Sequence, residues 1–174
     1  FGLTELCIVL EEQGRRVAPV PLFASLVLGG LPLAAFGSEA QQQRYLPALA
    51  AGTAKFSAAI AELGMNVAIA TAVTAQRTQD GWLLSGHKAA VPDGAVANHI
   101  LVPAVDAAGK QTVFIVETDA PGVSVRPVEI GLSGQRTAHL DLDNVAIGDD
   151  AVLGAAGQGA EILEWLEQRA NIGH

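Results

Sequence analysis

Apolar residues recur at helical spacing near the start of the chain. The first predicted helix has an apolar face made of Leu3, Leu6, Val9 and Leu10. Gly14 is expected to end this helix, because glycine is common just after the last helical turn. Residues 17–21 are expected to be extended, since proline fixes its own φ angle and restricts the residue before it. A second apolar helix is predicted over residues 22–28.

A third helix is indicated by the signal at its N-terminus. Ser38 is followed three residues later by Gln41, which is the spacing of a capping box. Pro47 is expected to bend or end this helix, because proline lacks the N–H that a helix interior requires. Gly52 then closes the helical region.

After Gly52 the hydrophobic period changes from 3.6 residues to two, which is the period of a β-strand. Strands are predicted over residues 56–61, 70–78, 82–85, 99–105, 112–117, 123–128 and 137–142. Turn signals separate them at Asp80-Gly81, Ala108-Gly109, Pro121-Gly122, Gly131 and Asp143-Asn144. Several short strands at this spacing predict an antiparallel β-barrel or sandwich.

The end of the chain returns to a helical pattern. The glycine-rich residues 154–159 lead into a helix predicted over residues 160–170. The glycine order differs from the dinucleotide-binding fingerprint, so this segment is interpreted as a flexible link. The fold class is therefore α+β: a helical domain over 1–52, a β domain over 53–153, and the start of another helical domain over 154–174.

Composition narrows the possible partners and compartments. The formal net charge of −8 and the sequence pI of about 4.8 disfavour binding to nucleic acid and to anionic membranes. No charged residue lies between Arg16 and Glu39, but prolines and glycines interrupt this stretch, so we expect no membrane span. The single cysteine, Cys7, fits a reducing cytoplasm. The chain begins at Phe1 rather than Met, and we expect it to be a fragment of a longer protein.

Five blocks of sequence resemble, in the same order, those of acyl-CoA dehydrogenases. They are Gly37–Gly52 (GSEAQQQRYLPALAAG), Asp80–Lys88 (DGWLLSGHK), Asp119–Val125 (DAPGVSV), Leu140–Val145 (LDLDNV) and Leu153–Gly159 (LGAAGQG). The resemblance covers nearly the whole chain. It implies an N-terminal helical domain, a middle β-barrel and a C-terminal helical bundle. This chain would hold the later part of the first, all of the second and the opening of the third.

The resemblance also implies a reaction. Members of the family bind FAD between the β domain, the C-terminal bundle and a neighbouring subunit. They remove hydrogens from the α and β carbons of an acyl-CoA thioester: a carboxylate takes the α proton, and flavin N5 accepts a hydride. The implied partners are an acyl-CoA substrate, further subunits in a homo- or hetero-oligomer, and an electron-transfer flavoprotein.

Two loops correspond to the flavin-binding segments of the family. The first usually reads Thr-Glu-Pro-Gly-Ala-Gly-Ser-Asp, and residues 61–68 of this chain read Ala-Glu-Leu-Gly-Met-Asn-Val-Ala, with Glu62 and Gly64 retained. The resemblance assigns cofactor contacts to Ile60, Ala61, Glu62 and Gly64, and a substrate contact to Val67. Ala61 and Val67 replace hydroxyl residues, so their side-chain hydrogen bonds cannot form. The alternative is an ordinary loop between strands.

The second loop usually reads Trp-Ile-Thr-Asn-Gly or Trp-Ile-Ser-Asn-Gly. Here the cofactor contacts fall on Ala90, Val91 and Pro92. Ala90 lacks the aromatic ring of the family tryptophan. Pro92 has neither a hydroxyl nor an N–H, and it therefore supplies no donor to flavin N5. The alternative is that Pro92-Asp93-Gly94 simply forms a turn.

The catalytic base is expected beyond residue 174. A minority of the family places it on the first long helix of the C-terminal domain, where this chain has Gln168, which cannot act as a carboxylate base. A solvated helix face is predicted for Glu161, Glu164 and Glu167. We expect no metal site, because ligand spacing is missing from His87, His99, His139 and His174.

The resemblance, together with the substituted loops, implies three candidate functions. The first is an FAD-dependent acyl-CoA dehydrogenase subunit that oxidises the α,β bond. The second is a degenerate, non-catalytic subunit that supports a flavin-bearing partner in a heteromeric enzyme. The third is an acyl-CoA-binding protein of the same fold without redox chemistry. In each case, the chain of 174 residues alone is expected to be inactive and to bind no FAD tightly, because much of the family's flavin site lies outside it.

Overall fold

A computed structural model describes residues 2–60, 72–128 and 136–173 of the chain. The helices are α1 (Leu3–Arg16), α2 (Leu31–Phe36), α3 (Glu39–Ala50) and α4 (Gly159–Gly173), with a π-helical segment at Phe23–Gly30 and a 3₁₀ turn at Asp149–Ala151. The strands are β1 (Phe56–Ala58), β2 (Val73–Arg77), β3 (Trp82–Val91), β4 (His99–Val105), β5 (Gln111–Glu117), β6 (Val123–Pro127), β7 (Ala138–Ile147) and β8 (Val152–Leu153). The predicted turn at Gly131 lies outside the described residues.

The helix predictions are confirmed in position and corrected at their ends. Helix α1 continues past Gly14 to Arg16, and Val17 caps it in the left-handed conformation with φ of 49°. The second helix is longer than predicted: the π-helical segment runs directly into α2. Pro47 lies inside α3 and does not end it.

The capping box of α3 forms as its spacing predicts. The Ser38 hydroxyl accepts a hydrogen bond from the Gln41 N–H at 3.2 Å, and the Gln41 side-chain oxygen accepts one from the Ser38 N–H at 2.9 Å. The Gln41 amide group also donates to the carbonyls of Asp150 at 2.7 Å and Val152 at 2.9 Å. This buried side chain therefore joins the helical layer to the end of the sheet.

The described strands form one mostly antiparallel sheet in the order β6-β7-β3-β2-β4-β5-β8, with β1 beside β4. The α+β class is thus confirmed, but the sheet is open rather than closed into a barrel. Two pairings are parallel, β1 with β4 and β2 with β4. They lie end to end along one edge of β4, because β1 pairs with residues 99–101 and β2 pairs only at Val105.

The hairpin predicted at Asp80-Gly81 joins β2 to β3. Gly81 has a φ of 139°, and a Cβ there would overlap the carbonyl oxygen of Ile147. Strand β3 extends beyond the predicted residue 85 to Val91. The turn predicted at Asp143-Asn144 is wrong: both residues lie inside β7, opposite a register shift in β3, and Asn144 has a φ of 49°. The turn signal therefore marks a bulge within a strand.

Two hydrophobic cores hold these layers. One is formed by side chains of the strands packed against one another and includes Trp82, Leu84, Phe114 and Leu140. The other lies between the sheet and the helices and includes residues of the π-helical segment, α3, β1 and α4. Because Ile162 and Leu166 of α4 belong to this second core, α4 packs on the same side of the sheet as the earlier helices. The domain boundaries after residues 52 and 153 stay predictions.

Candidate functional site

The candidate site is where the ends of β1 and β3 meet. The hydroxyl of Ser57 in β1 donates a hydrogen bond to the carbonyl of Pro92, directly after β3. This bond joins the strand that precedes the first predicted flavin loop to the second loop. Ile60 is half-buried and packs against the core between the sheet and the helices. The other predicted residues of the first loop, Ala61, Glu62, Gly64 and Val67, lie outside the described residues.

The second loop has a well-defined backbone. Ala90 has a φ of 55° and Asp93 a φ of 47°, so two non-glycine residues occupy the left-handed region. Hydrogen bonds hold this shape: the Gly94 N–H donates to the Val91 carbonyl at 3.1 Å, and the Arg136 N–H donates to the Asp93 carboxylate at 3.2 Å. The loop is therefore fixed both to itself and to the chain before β7.

The side chains of this loop do not fit the polar edge of a flavin. Val91 is buried and pairs with Ala138, whereas Ala90 and Pro92 are half-exposed. None of the three predicted contact residues has a side-chain donor, and the Pro92 carbonyl accepts the Ser57 hydroxyl. A flavin at this loop would have to be held by backbone amides or by groups from elsewhere.

The sequence predicts a solvated acidic face on helix α4, and two of its three glutamates are exposed. Glu161 and Glu164 are exposed, but Glu167 is half-buried. Gln168, at the position of the minority catalytic base, is exposed. The buried face of α4 is formed by Ile162, Leu163, Leu166 and Ala170.

A second polar group, which the sequence patterns did not identify, lies at the junction of α3 and the sheet. The His99 ring packs against Phe56 at 4.7 Å and Tyr45 at 5.1 Å between centroids. Burial lowers the pKa of His99; Arg44 also lowers it, while Glu117 and Asp119 act in the opposite direction. The Arg44 guanidinium donates to the Glu117 carboxylate at 2.9 Å beside this ring.

A cleft of about 370 Å³ opens next to His99, lined by Thr53, Ala54, Asn98, His99, Glu117, Thr118 and Asp119. A larger and mostly apolar cleft of about 800 Å³ lies where β2 and β4 separate. It is lined by Thr74, Ala75, Gln76, Arg77, Trp82, Val105, Asp106, Ala107 and Ala108. Strand β2 pairs with β4 only at Thr74 and Val105, and the sequence contains no signal for this arrangement.

A third polar group crosses β6, β7 and β3 on the outer face of the sheet. The Asp141 carboxylate contacts His87 at 2.6 Å and accepts a hydrogen bond from the Arg126 guanidinium at 2.8 Å. These two contacts, with Arg126 the stronger cause, lower the pKa of Asp141. His87 stands opposite Asp141 in the register of β3 and β7, so only the strand pairing could have revealed this group.

The described part of the chain also bears on metal binding and on membranes. Over the described ranges, no group of three or more His, Cys, Asp or Glu side chains is arranged to hold a metal ion. Within the same part of the chain, none of the helices has the length and hydropathy needed to cross a membrane.

Two family models match the chain: the acyl-CoA dehydrogenase N-terminal domain over residues 1–53 and the middle domain over residues 57–145. The acyl-CoA dehydrogenase FadE12 of Mycobacterium tuberculosis is 33% identical over 163 residues, which are 88% of this chain and 42% of FadE12. This chain therefore spans less than half of that relative.

Solved structures agree with these matches. A variant of the Tcur3481–Tcur3483 steroid ACAD is 39% identical with a TM-score of 0.82, over 97% of this chain and 44% of that one. The ChsE4–ChsE5 complex of Mycobacterium tuberculosis gives 30% identity and a TM-score of 0.84, over 97% and 44% of the two chains. From these matches in sequence and structure, the chain belongs to the acyl-CoA dehydrogenase family.

Proposed function

We propose that this chain is part of a subunit of an acyl-CoA dehydrogenase that oxidises an acyl-CoA thioester at its α,β bond with FAD. The observation that carries the proposal is the hydrogen bond from Ser57 to Pro92. It holds the strand that precedes the first loop close to the second loop, and a flavin that contacts both loops needs these two segments to be close together. The family membership and the open sheet with helices on one side support the same function.

The catalytic base is expected beyond residue 174, and at the position that a minority of the family uses, this chain has the amide Gln168, which cannot act as a carboxylate base. We infer that a carboxylate from another part of the full protein, or from another subunit, takes the α proton. The proposed partners are the acyl-CoA substrate, an electron-transfer flavoprotein and further subunits of the same family. The proposed setting is fatty acid or related lipid metabolism in the cytoplasm, with the domain division after residues 52 and 153.

A second candidate function is favoured by the second loop. Ala90, Val91 and Pro92 offer no side-chain donor, so this chain fits a non-catalytic subunit beside a flavin-bearing partner. The ChsE4–ChsE5 complex is a precedent for two different chains assembling in this family. In that arrangement the overall reaction is unchanged, but the polar contacts to the flavin come from the partner chain.

The test is to purify the full chain that contains these residues, alone and together with candidate flavin-bearing subunits. Flavin absorbance gives the FAD content, and an electron-accepting dye reports oxidation of an acyl-CoA. A chain that carries FAD and oxidises acyl-CoA by itself supports the first candidate and excludes the second. A colourless chain that becomes part of an active enzyme only with a partner supports the second. Absence of both FAD and activity in every combination would contradict both.

Restoring a donor sharpens the comparison. The change Pro92→Thr returns a hydroxyl and a backbone N–H, and a neutral hydrogen bond contributes about 1 kcal/mol. FAD affinity is therefore expected to rise about fivefold, since about 1.4 kcal/mol corresponds to tenfold. The matched control is Pro127→Thr on the exposed edge of β6, which should leave FAD affinity unchanged. Equal effects of the two changes would show that Pro92 does not border the flavin.

A further inference from the structure

Two consecutive residues of β1 are tied to different parts of the molecule by serine hydroxyls. Ser25, in the π-helical segment, donates to the carbonyl of Phe56 at 3.3 Å. The next residue, Ser57, donates its own hydroxyl to the carbonyl of Pro92. The short strand β1 thus stands between the helical layer and the second loop.

Ser57 is well placed to fix the second loop, because its side chain is fully buried and its strand is paired with β4. The residue is 0% exposed, and β1 is held on β4 with Ser57 opposite Ile100. The Ala59 N–H continues this attachment by donating to the Leu101 carbonyl at 2.9 Å. Because the Ser57 hydroxyl is carried by this paired strand, it can hold its acceptor, the Pro92 carbonyl, at a defined position.

The Pro92 carbonyl lies in a part of the loop whose backbone conformation requires stabilising contacts. It lies between Ala90 and Asp93, which both have left-handed φ angles that cost free energy in a non-glycine residue. Such conformations persist only where surrounding contacts determine them. The bonds at Gly94 and Arg136 hold the far side of the loop, whereas the Ser57 hydroxyl holds the side that faces β1.

We propose that Ser57 is a positioning residue: its hydroxyl fixes the Pro92 carbonyl and thereby the edge that the second loop presents to the site. The identity of what faces this edge, the flavin and the acyl group, rests on the proposed function. The Ser57 side chain is fully buried, and its hydroxyl donates to the Pro92 carbonyl. It acts on the site through Pro92 alone, and its effect on the loop exists whether or not a cofactor is bound.

The experiment compares Ser57→Ala with Ser25→Ala in the full chain. Each change removes one buried serine hydroxyl that donates to a backbone carbonyl, so the two variants are matched in chemistry. Amide hydrogen exchange, read by mass spectrometry, reports local opening of residues 93–96 and, as an internal reference, of β4. The conservative change Ser57→Thr keeps the hydroxyl and provides a rescue.

Ser57→Ala is expected to speed exchange of the loop amides about three- to tenfold, the effect of losing one net hydrogen bond. Ser25→Ala should leave the loop amides unchanged, and Ser57→Thr should restore slow exchange. Equal acceleration by both alanine changes, an unchanged loop in Ser57→Ala, or no rescue by threonine would each overturn the proposal. Absence of FAD and of activity in every combination of subunits would defeat the proposed function but leave the exchange result intact, so the two failures are distinguishable.

Discussion

The strongest stability prediction concerns Gln41, whose buried side chain joins α3 to the end of the sheet. Only 5% of the residue is exposed. Its amide nitrogen donates to the carbonyls of Asp150 and Val152, and its oxygen accepts from the Ser38 N–H. The change Gln41→Ala removes all three hydrogen bonds and leaves two carbonyls and an N–H without this partner.

The expected cost follows from these contacts. Each net hydrogen bond contributes about 1 kcal/mol, which gives about 3 kcal/mol for three bonds. Alanine returns part of this, because it is a better helix former by a few tenths of a kcal/mol, roughly 0.4 kcal/mol for glutamine. Water entering the vacated space would also satisfy part of the released carbonyls. Gln41→Ala is therefore expected to lower the free energy of unfolding by about 2–3 kcal/mol.

Urea unfolding of the full chain, followed by circular dichroism, measures this change. The control is Gln43→Ala, two residues along the same helix, where the side chain is exposed and donates to the Glu39 carboxylate at 3.1 Å. The control should stay within about 0.5 kcal/mol of the original chain, as is usual for surface positions. If the two alanine variants unfold at the same urea concentration, the hydrogen bonds of Gln41 to Asp150 and Val152 do not stabilise the junction of α3 and the sheet.

Three further predictions concern backbone strain, turn packing and pH. Val17 is 85% exposed and has a φ of 49°, which is costly for a β-branched residue. Val17→Gly should therefore raise the free energy of unfolding by about 1 kcal/mol, seen by calorimetry as a higher thermal midpoint. Gly81→Ala should cost about 1–3 kcal/mol in urea unfolding beyond the cost of Gly109→Ala, where a Cβ would meet open space. Because burial lowers the pKa of His99 from 6.5, the fold favours its neutral form, and stability should fall as pH drops from 6.5 toward the folded pKa. His99→Gln should remove that part of the pH dependence in urea unfolding; an unchanged slope would contradict the assignment.

The sequence predicts α3 well because its signal is local. The hydrogen bonds between Ser38 and Gln41 involve residues three apart, and nothing distant is needed to form them. The end of α1 was harder to locate, since Val17 takes the left-handed position that glycine usually fills. Gly14 had the favourable residue type, but the helix did not stop there.

The strand predictions illustrate the limit of local signals in a sheet. The alternation of Trp82 and Leu84, both buried, with the half-exposed Leu83 and Ser85 agrees with the expected period. In contrast, Asp143-Asn144 has the residue types of a turn but forms a bulge, because β7 continues along β3 on both sides of it. Strand pairing decided between turn and bulge, and pairing is not readable from the two residues alone.

The candidate site brings together residues that are far apart in the sequence, and local sequence patterns do not predict such contacts. Ser57 and Pro92 are 35 residues apart, and β1 reaches its position through a parallel pairing with β4, which follows both of them in the chain. A fully buried serine in a strand resembles any small core residue, so its sequence position carried no functional signal.

The substitution at Pro92 was visible in the sequence as a lost donor, but the structure adds that its remaining polar atom, the carbonyl, already has a partner. Loss of the donor and capture of the carbonyl act in the same direction: both make this edge of the loop less able to bond a ligand. The two proposed functions, a self-sufficient dehydrogenase and a subunit that depends on a partner, therefore differ in what they require of this loop and not in what they require of the general fold.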